Sequence, residues 1–241
     1  ILNEALDLLN TLNEPVPAAT SRIFGLLGEC FIETRNYKDA ITVLEIALED
    51  YGKFAERDGL VSAKYYHFLG QASYQTKDYK RADYWLNKAL EVYENMLNEN
   101  HPIILDVCYD LAWNLYSLGD IEQACQLHDG ILNKRLEILG DKHQKSHESL
   151  FSIARLIHSA GDIEKASQVM VHIIDLRIKA DLFVNDFTLR MLNFITAILM
   201  ESDNKEKAVI FAEQAYLLCL ELYGKEDKET IELHHKYQSL K

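Results

Sequence analysis

The sequence has few chain breakers: 3 prolines and 10 glycines in 241 residues. With 48% apolar and 26% charged residues, that is the profile of a mostly helical protein and excludes a disordered one. No apolar run approaches the roughly 18 to 20 residues that span a bilayer. The opening Ile1-Leu2-Asn3-Glu4 lacks the charged-then-apolar order of a signal peptide, so the expected location is the cytoplasm. Because residue 1 is Ile rather than Met, the chain is expected to be a piece of a longer one. Basic residues are scarce, 25 Lys and Arg against 38 Asp and Glu for a net charge of -13, and a nucleic-acid partner is excluded because phosphate binding depends on clustered cations. The four cysteines, Cys30, Cys108, Cys125 and Cys219, lie far apart with no C-x-x-C pair, which speaks against a disulfide framework.

Catalytic signatures are missing as well. There is no H-E-x-x-H, phosphate-binding glycine loop, G-x-S-x-G or Cys-His constellation. His143 and His147 stand four apart and His234-His235 adjoin. Without a third ligand nearby they read as surface histidines. The carboxylates are spread along helix surfaces, where no cleft perturbs their pKa. The expectation is a chain that is not an enzyme and holds neither cofactor nor metal.

What is present is a repeat. Ala40, Ala82, Ala124, Ala166 and Ala208 follow one another at intervals of 42 residues, a period that belongs to stacked helical units. Numbering each unit so that this alanine is position twenty gives a partial repeat at 1–20, repeats at 21–62, 63–104, 105–146, 147–188 and 189–230, and a C-terminal helix at 231–241. All belong to one solenoid domain. Residues 1–10 have helical spacing, closed by Pro15-Val16-Pro17. In each unit, helix A over about positions one to fourteen carries large apolar residues at four, seven and eleven, such as Phe24, Leu27 and Phe31. Position eight is small: Gly28, Gly70, Ala112, Ala154 and Thr196. Helix B holds the alanine and an apolar residue at twenty-four in most units, Leu44, Leu86 and Met170. Helices approach to about 8 Å only where side chains are small, so positions eight and twenty mark the crossing. Gly119-Asp120 and Gly161-Asp162 supply a left-handed helix end and then an N-cap acceptor, and Asn36 and Lys77-Asp78 occupy the same place.

This small-residue code, with its turns, resembles the tetratricopeptide repeat, whose usual length is about 34 residues. The longer unit and the junction Leu97-Asn98-Glu99-Asn100-His101-Pro102 are similar to the kinesin light chain type. The resemblance implies an all-α, right-handed superhelical solenoid of about five repeats, with partial repeats at both ends. Its expected function is that of a scaffold or adaptor binding a peptide or partner protein in the groove lined by helices A. Two alternatives stand beside it: a peptide-responsive sensor domain of a larger enzyme or transcription regulator, and a self-association domain. Kinesin light chains carry asparagine pairs at positions five and six, where this chain keeps only Asn193. With Gly25 and Glu29 at positions five and nine of its first unit, it also lacks the carboxylate clamp of the family's chaperone adaptors.

Successive helical residues turn by about 100°, so positions two, five, six, nine, twelve and thirteen of helix A face away from helix B. The candidate peptide-binding residues there are Lys64, His67, Tyr74, Tyr109, Trp113, Tyr116, Phe151, Arg155, His158, Arg190 and Asn193. Aromatic residues and arginine are what binding hot spots are enriched in. Trp113 and Arg155 share position nine of adjacent units. With Tyr116 and Lys64 they are expected to anchor a peptide that has apolar and acidic residues.

Overall fold

A computed structural model of the chain describes residues 17–51 and 59–241. The expected helix at residues 1–10 lies outside them. Eleven helices and no strand occur among the described residues. In order they are α1 (Pro17–Glu33), α2 (Tyr37–Tyr51), α3 (Gly59–Gln75), α4 (Tyr79–Met96), α5 (Pro102–Leu118), α6 (Ile121–Leu139), α7 (Gln144–Ser159), α8 (Ile163–Lys179), α9 (Asp186–Glu201), α10 (Lys205–Tyr223) and α11 (Lys228–Leu240). The first helix of each repeat begins three or four residues ahead of position one. Pro17 opens α1 instead of merely closing what precedes it, because the first helical residue needs no donor.

The chain forms two compact units, Ile1–Leu127 and His128–Lys241, with the division inside α6. In the first, α1 packs on α2 and α3 on α4. Phe24, Leu44, Leu69 and Ala72 form one core, and Leu86, Ala89, Tyr93 and Leu111 another. In the second, α7 pairs with α8 and α9 with α10, and α11 closes on α10. Their shared core runs from Ala154 and Met170 through Leu192 and Ile195 to Leu218.

The crossing lies where the small residues place it. All five alanines at position twenty have 0% exposure. A methyl group added at Gly28 would sit 2.5 Å from the Leu44 side chain, and one at Gly70 2.6 Å from that of Leu86. Position eight therefore meets position twenty-four, and the two share a fixed volume. Glycine stands opposite leucine in the first two repeats, Ala154 opposite Met170 in the fourth, and Thr196 opposite Ala212 in the fifth, all buried.

Each A-to-B turn is built the same way. Position fifteen is left-handed in all five repeats: Arg35 (φ 60°), Lys77 (65°), Gly119 (93°), Gly161 (89°) and Asp203 (56°). The residue after it turns its N–H back onto the helix, as Asp78 does to the Ser73 carbonyl at 2.9 Å and Asp120 to that of Leu115 at 2.9 Å. Its side chain then caps helix B. Asp78 accepts from the Arg81 N–H at 3.2 Å and Asp162 from the Lys165 N–H at 3.0 Å. Helix A is capped by position thirty-nine, where His101, His143, Asn185 and Asp227 each accept a backbone N–H.

Candidate functional site

On the first unit, the helix A face opposite helix B is largely engaged by neighbouring helices A. Tyr65 lies flat on Gly25, so close that a Cβ there would stand 2.3 Å from its hydroxyl oxygen. The hydroxyl donates to the Ser21 carbonyl at 3.2 Å, and burial raises the pKa of the phenol. Lys64 Nζ is 2.9 Å from Glu29 Oε2 and lies over the Phe68 ring at 5.3 Å. His67, only 7% exposed, puts Nε2 2.7 Å from Asp110 Oδ2, and Gln71 Nε2 donates to the same oxygen at 2.8 Å. Tyr74 accepts from the Ser117 hydroxyl at 3.4 Å. Trp113 is 8% exposed, edge-on to Tyr116 at 5.7 Å, so its indole is part of the packed wall. Tyr109 and Tyr116 are half-buried.

The second unit brings a different set together on α7 and α9. Phe151 meets Phe187 at 5.6 Å and Phe194 at 5.5 Å, both edge-to-face, a geometry favoured by the ring quadrupoles. Two exposed arginines rest on this trio: Arg155 over Phe151 at 6.0 Å and Arg190 over Phe187 at 5.5 Å. His158 stands edge-on to Phe194 at 5.4 Å, its Nε2 2.8 Å from Glu201 Oε2. Asn193 is half-buried. Trp113 belongs to the first unit and Arg155 to the second.

Three buried groups escaped the sequence reading. Arg177 is 0% exposed. It donates to the Thr188 hydroxyl at 2.7 Å, the Leu182 carbonyl at 2.6 Å and Asn185 Oδ1 at 2.9 Å, which pins the loop between α8 and α9. Burial lowers its pKa to about 10. Arg135 ties α6 to the first turns of α7 by donating to the Lys145 carbonyl and the Ser149 hydroxyl. Both sit at position thirty-one with a small hydroxyl residue eleven to fourteen places later, and that recurrence is the signal that could have found them. His147, expected at the surface, is instead buried, its Nε2 2.7 Å from the Asp141 carbonyl. It lies one turn inside α7, on the side that faces the inter-repeat loop. His143 caps that helix, and His234 stacks on Tyr216 at 4.7 Å.

No group of three or more His, Cys, Asp or Glu side chains placed to hold a metal occurs among the described residues. No helix among them is long and apolar enough to cross a membrane. The face on α7 and α9 can offer cations on an aromatic floor, which suits recognition of an anionic, partly apolar guest.

Comparison with known proteins agrees with this geometry. The tetratricopeptide repeat family model matches residues 18–95 and 61–128, and the 42-residue period continues in register beyond them to Ala166 and Ala208. This is a tetratricopeptide repeat protein. Among solved structures, its repeats are similar to a kinesin-light-chain-like protein of Podosopora anserina with nearly identical TPR-like repeats. That match has 16% identity and a TM-score of 0.66, covering 85% of this chain and 96% of that one. They are also similar to BtubC from P. vanneervenii, at 15% identity and a TM-score of 0.68, covering 94% and 90%. A Rap protein complexed with Competence and Sporulation Factor superimposes over 100% of this chain and 69% of its own, at 14% identity and a TM-score of 0.75. At these identities the likeness concerns the fold. No curated protein matches the sequence.

Proposed function

We propose that this tetratricopeptide repeat protein is a cytoplasmic adaptor or scaffold module that binds a protein or peptide through the exposed faces of its first helices. The observation that carries the reading is the pair of exposed guanidinium groups, Arg155 and Arg190, seated on Phe151 and Phe187. Phe187 is buried in the core and Phe151 and Phe194 pack against it, and arginine seated on such an aromatic floor is the composition of an interface centre. The proposed guest is a peptide segment with apolar and acidic residues. Lys64, Tyr109 and Tyr116 are exposed enough to touch a guest directly, and Tyr74, His158 and Asn193 border the same faces. His67 and Trp113 act by holding their neighbours. The module works by binding rather than catalysis.

A random-peptide display selection on the immobilised chain tests this. Enriched sequences that bind the chain in solution are expected, and a selection that enriches nothing above an unrelated helical protein defeats the reading. A second reading, a peptide-responsive regulatory domain, is favoured by the similarity over this chain's full length to a Rap protein complexed with Competence and Sporulation Factor. It requires that a selected peptide change amide-exchange protection far from its contact helices.

A further inference from the structure

We propose that a second copy of this chain docks on the helix B side of the second unit, through a two-fold contact in which α8 of each copy lies antiparallel on α10 of the other. The contact leaves the helix A faces, and the binding proposed for them, untouched. It stands or falls separately from that reading.

Four large apolar side chains carry it. Val171 and Ile178 on α8 are 39% and 55% exposed, and Ile210 and Leu217 on α10 are 50% and 53% exposed. Each pair is seven residues apart, which puts it on one side of its helix. The same positions in the three earlier repeats are mostly polar. Where Val171 stands they hold Glu45, Asn87 and Asp129, and where Leu217 stands, Glu49, Glu91 and Asn133. The counterparts of Ile210 are Thr42, Tyr84 and Gln126, and those of Ile178 are Gly52, Glu94 and Leu136. Of these only Tyr84 and Leu136 are large and apolar, and Leu136 is half-buried. The apolar face is therefore particular to α8 and α10, and a patch of this kind marks a contact surface.

The direction of the two helices fixes how a second copy fits. Glu164, Gln168 and Val171 of α8 border one cavity of about 560 Å³ together with Lys207 and Phe211 of α10. Their N-terminal halves thus lie side by side, and the helices run the same way. A two-fold axis perpendicular to such a pair sets α8 antiparallel on α10 of the other copy, twice. One antiparallel register then brings Val171 onto Leu217 and Ile178 onto Ile210 together, since seven residues forward along α8 match seven back along α10. Within one turn of direct opposition, the same register sets Lys179 beside Glu206 and Lys165 beside Glu221. Asp175 and Glu213 form its one like-charge pair, with His172 a turn away from Glu213.

Charge favours this unit as well. It holds 15 Lys and Arg against 18 carboxylates, whereas the first unit holds 10 against 20. Two copies therefore repel least when second unit meets second unit. The helices are 17 and 19 residues long, so side by side they offer a face on the order of 500 Å² in projection. A standard stable interface covers about 800 Å² per partner, and the expected dimer is accordingly weak, with a Kd of about 10 to 100 μM.

Sedimentation velocity of this chain at low salt, from about 1 to about 300 μM, tests the proposal. A monomer passing to a dimer and to nothing larger is expected, since a two-fold contact closes at two. Ile178→Lys and Leu217→Lys should each raise the Kd about tenfold or more. Asn87→Lys, which adds the same charge at the counterpart of Val171 in the second repeat, should leave it unchanged. Lys179→Glu alone and Glu206→Lys alone should each raise it about threefold, and the two in one chain should bring it back. That rescue can only act between copies, because Lys179 and Glu206 lie at opposite ends of helices that run the same way. All five sites are exposed, where substitutions leave the fold intact, so loss of association is not loss of structure. A chain that stays monomeric to the highest concentration overturns the proposal, as does a dimer that Ile178→Lys and Leu217→Lys do not weaken. A double reversal no better than the single ones overturns the antiparallel register, and an open series of larger species overturns the two-fold arrangement. The display selection is a separate measurement, and its failure counts only against peptide binding.

Discussion

Adding one methyl group at Gly70 should destabilise the protein, whereas adding the same group at Gly130 should stabilise it. Both glycines are inside helices, α3 and α6, and replacing a mid-helix glycine by alanine gains about 1 kcal/mol through backbone entropy. At Gly130 a Cβ meets nothing within 4 Å, so that gain is expected in full. At Gly70 the new carbon would stand 2.6 Å from both Cγ and Cδ2 of Leu86 and 3.3 Å from its backbone nitrogen. Leu86 has 0% exposure, so α3 and α4 must move apart or the leucine must leave its rotamer. Overpacking of this kind costs about 1 to 3 kcal/mol, and the net expectation is a loss of about 1 kcal/mol. Urea denaturation followed by far-UV circular dichroism measures both, with amide exchange on α3 reporting the local effect. A double variant, Gly70→Ala with Leu86→Ala, tests the cause. Leu86→Ala alone should cost about 2 to 5 kcal/mol, and the added methyl should recover about 1 kcal/mol of that by filling part of the hole. If Gly70→Ala stabilises as much as Gly130→Ala, positions eight and twenty-four do not set the helix spacing and the account of the crossing is wrong.

Lys77→Gly should stabilise the chain by about 1 kcal/mol because Lys77 is held at φ 65°, and thermal unfolding will show the increase. Asp162→Ala removes the acceptor for the Lys165 N–H and should cost about 1 kcal/mol in the same assay. Burial, reinforced by the charges of Arg135 and Arg155, lowers the His128 pKa to about 4. The unfolded chain therefore takes up a proton below about pH 6.5 that the folded one resists. Stability should be unaffected above that range, fall by about 3 kcal/mol between pH 6.5 and 4, and level off below. Denaturant midpoints across pH, compared with His128→Leu, will show whether that slope disappears. Arg177→Ala removes the guanidinium donor from the Leu182 carbonyl and from Asn185 Oδ1, which keep only their bonds from Asn185 and Thr188, and should cost about 2 kcal/mol, with faster amide exchange at residues 180–188.

The repeat and its crossing were legible because they depend on size at fixed intervals. Ala82 and Gly70 are small for a reason that acts within one helix pair, and periodicity reports it. The glycines and aspartates of the turns were legible for the same local reason. Arg35, Lys77 and Asp203 were not, since nothing in a lysine announces that its backbone is left-handed. The neighbouring turns require that shape and the fold supplies it against preference. On the inner face, rotation about the helix axis separated residues pointing at helix B from the rest. It could not tell which of the rest would be met by the helix A one repeat away. His67 and Trp113 are buried, while Arg155 and Arg190 stay exposed. Arg177 and His147 were missed because a buried polar group is recognised by its acceptors, and those lie in loops whose path the sequence alone does not draw.

The tyrosine resting on a bare α-carbon also makes the first unit a mould. Shortening Tyr65 to alanine would leave a phenol-shaped vacancy with the Ser21 carbonyl at its far end, lined by the apolar neighbours Phe24 and Leu69. Enclosed apolar holes of that size stay dry and admit small aromatic molecules. A cresol added from solution could then take the missing ring's place and restore part of the packing between the helices on either side.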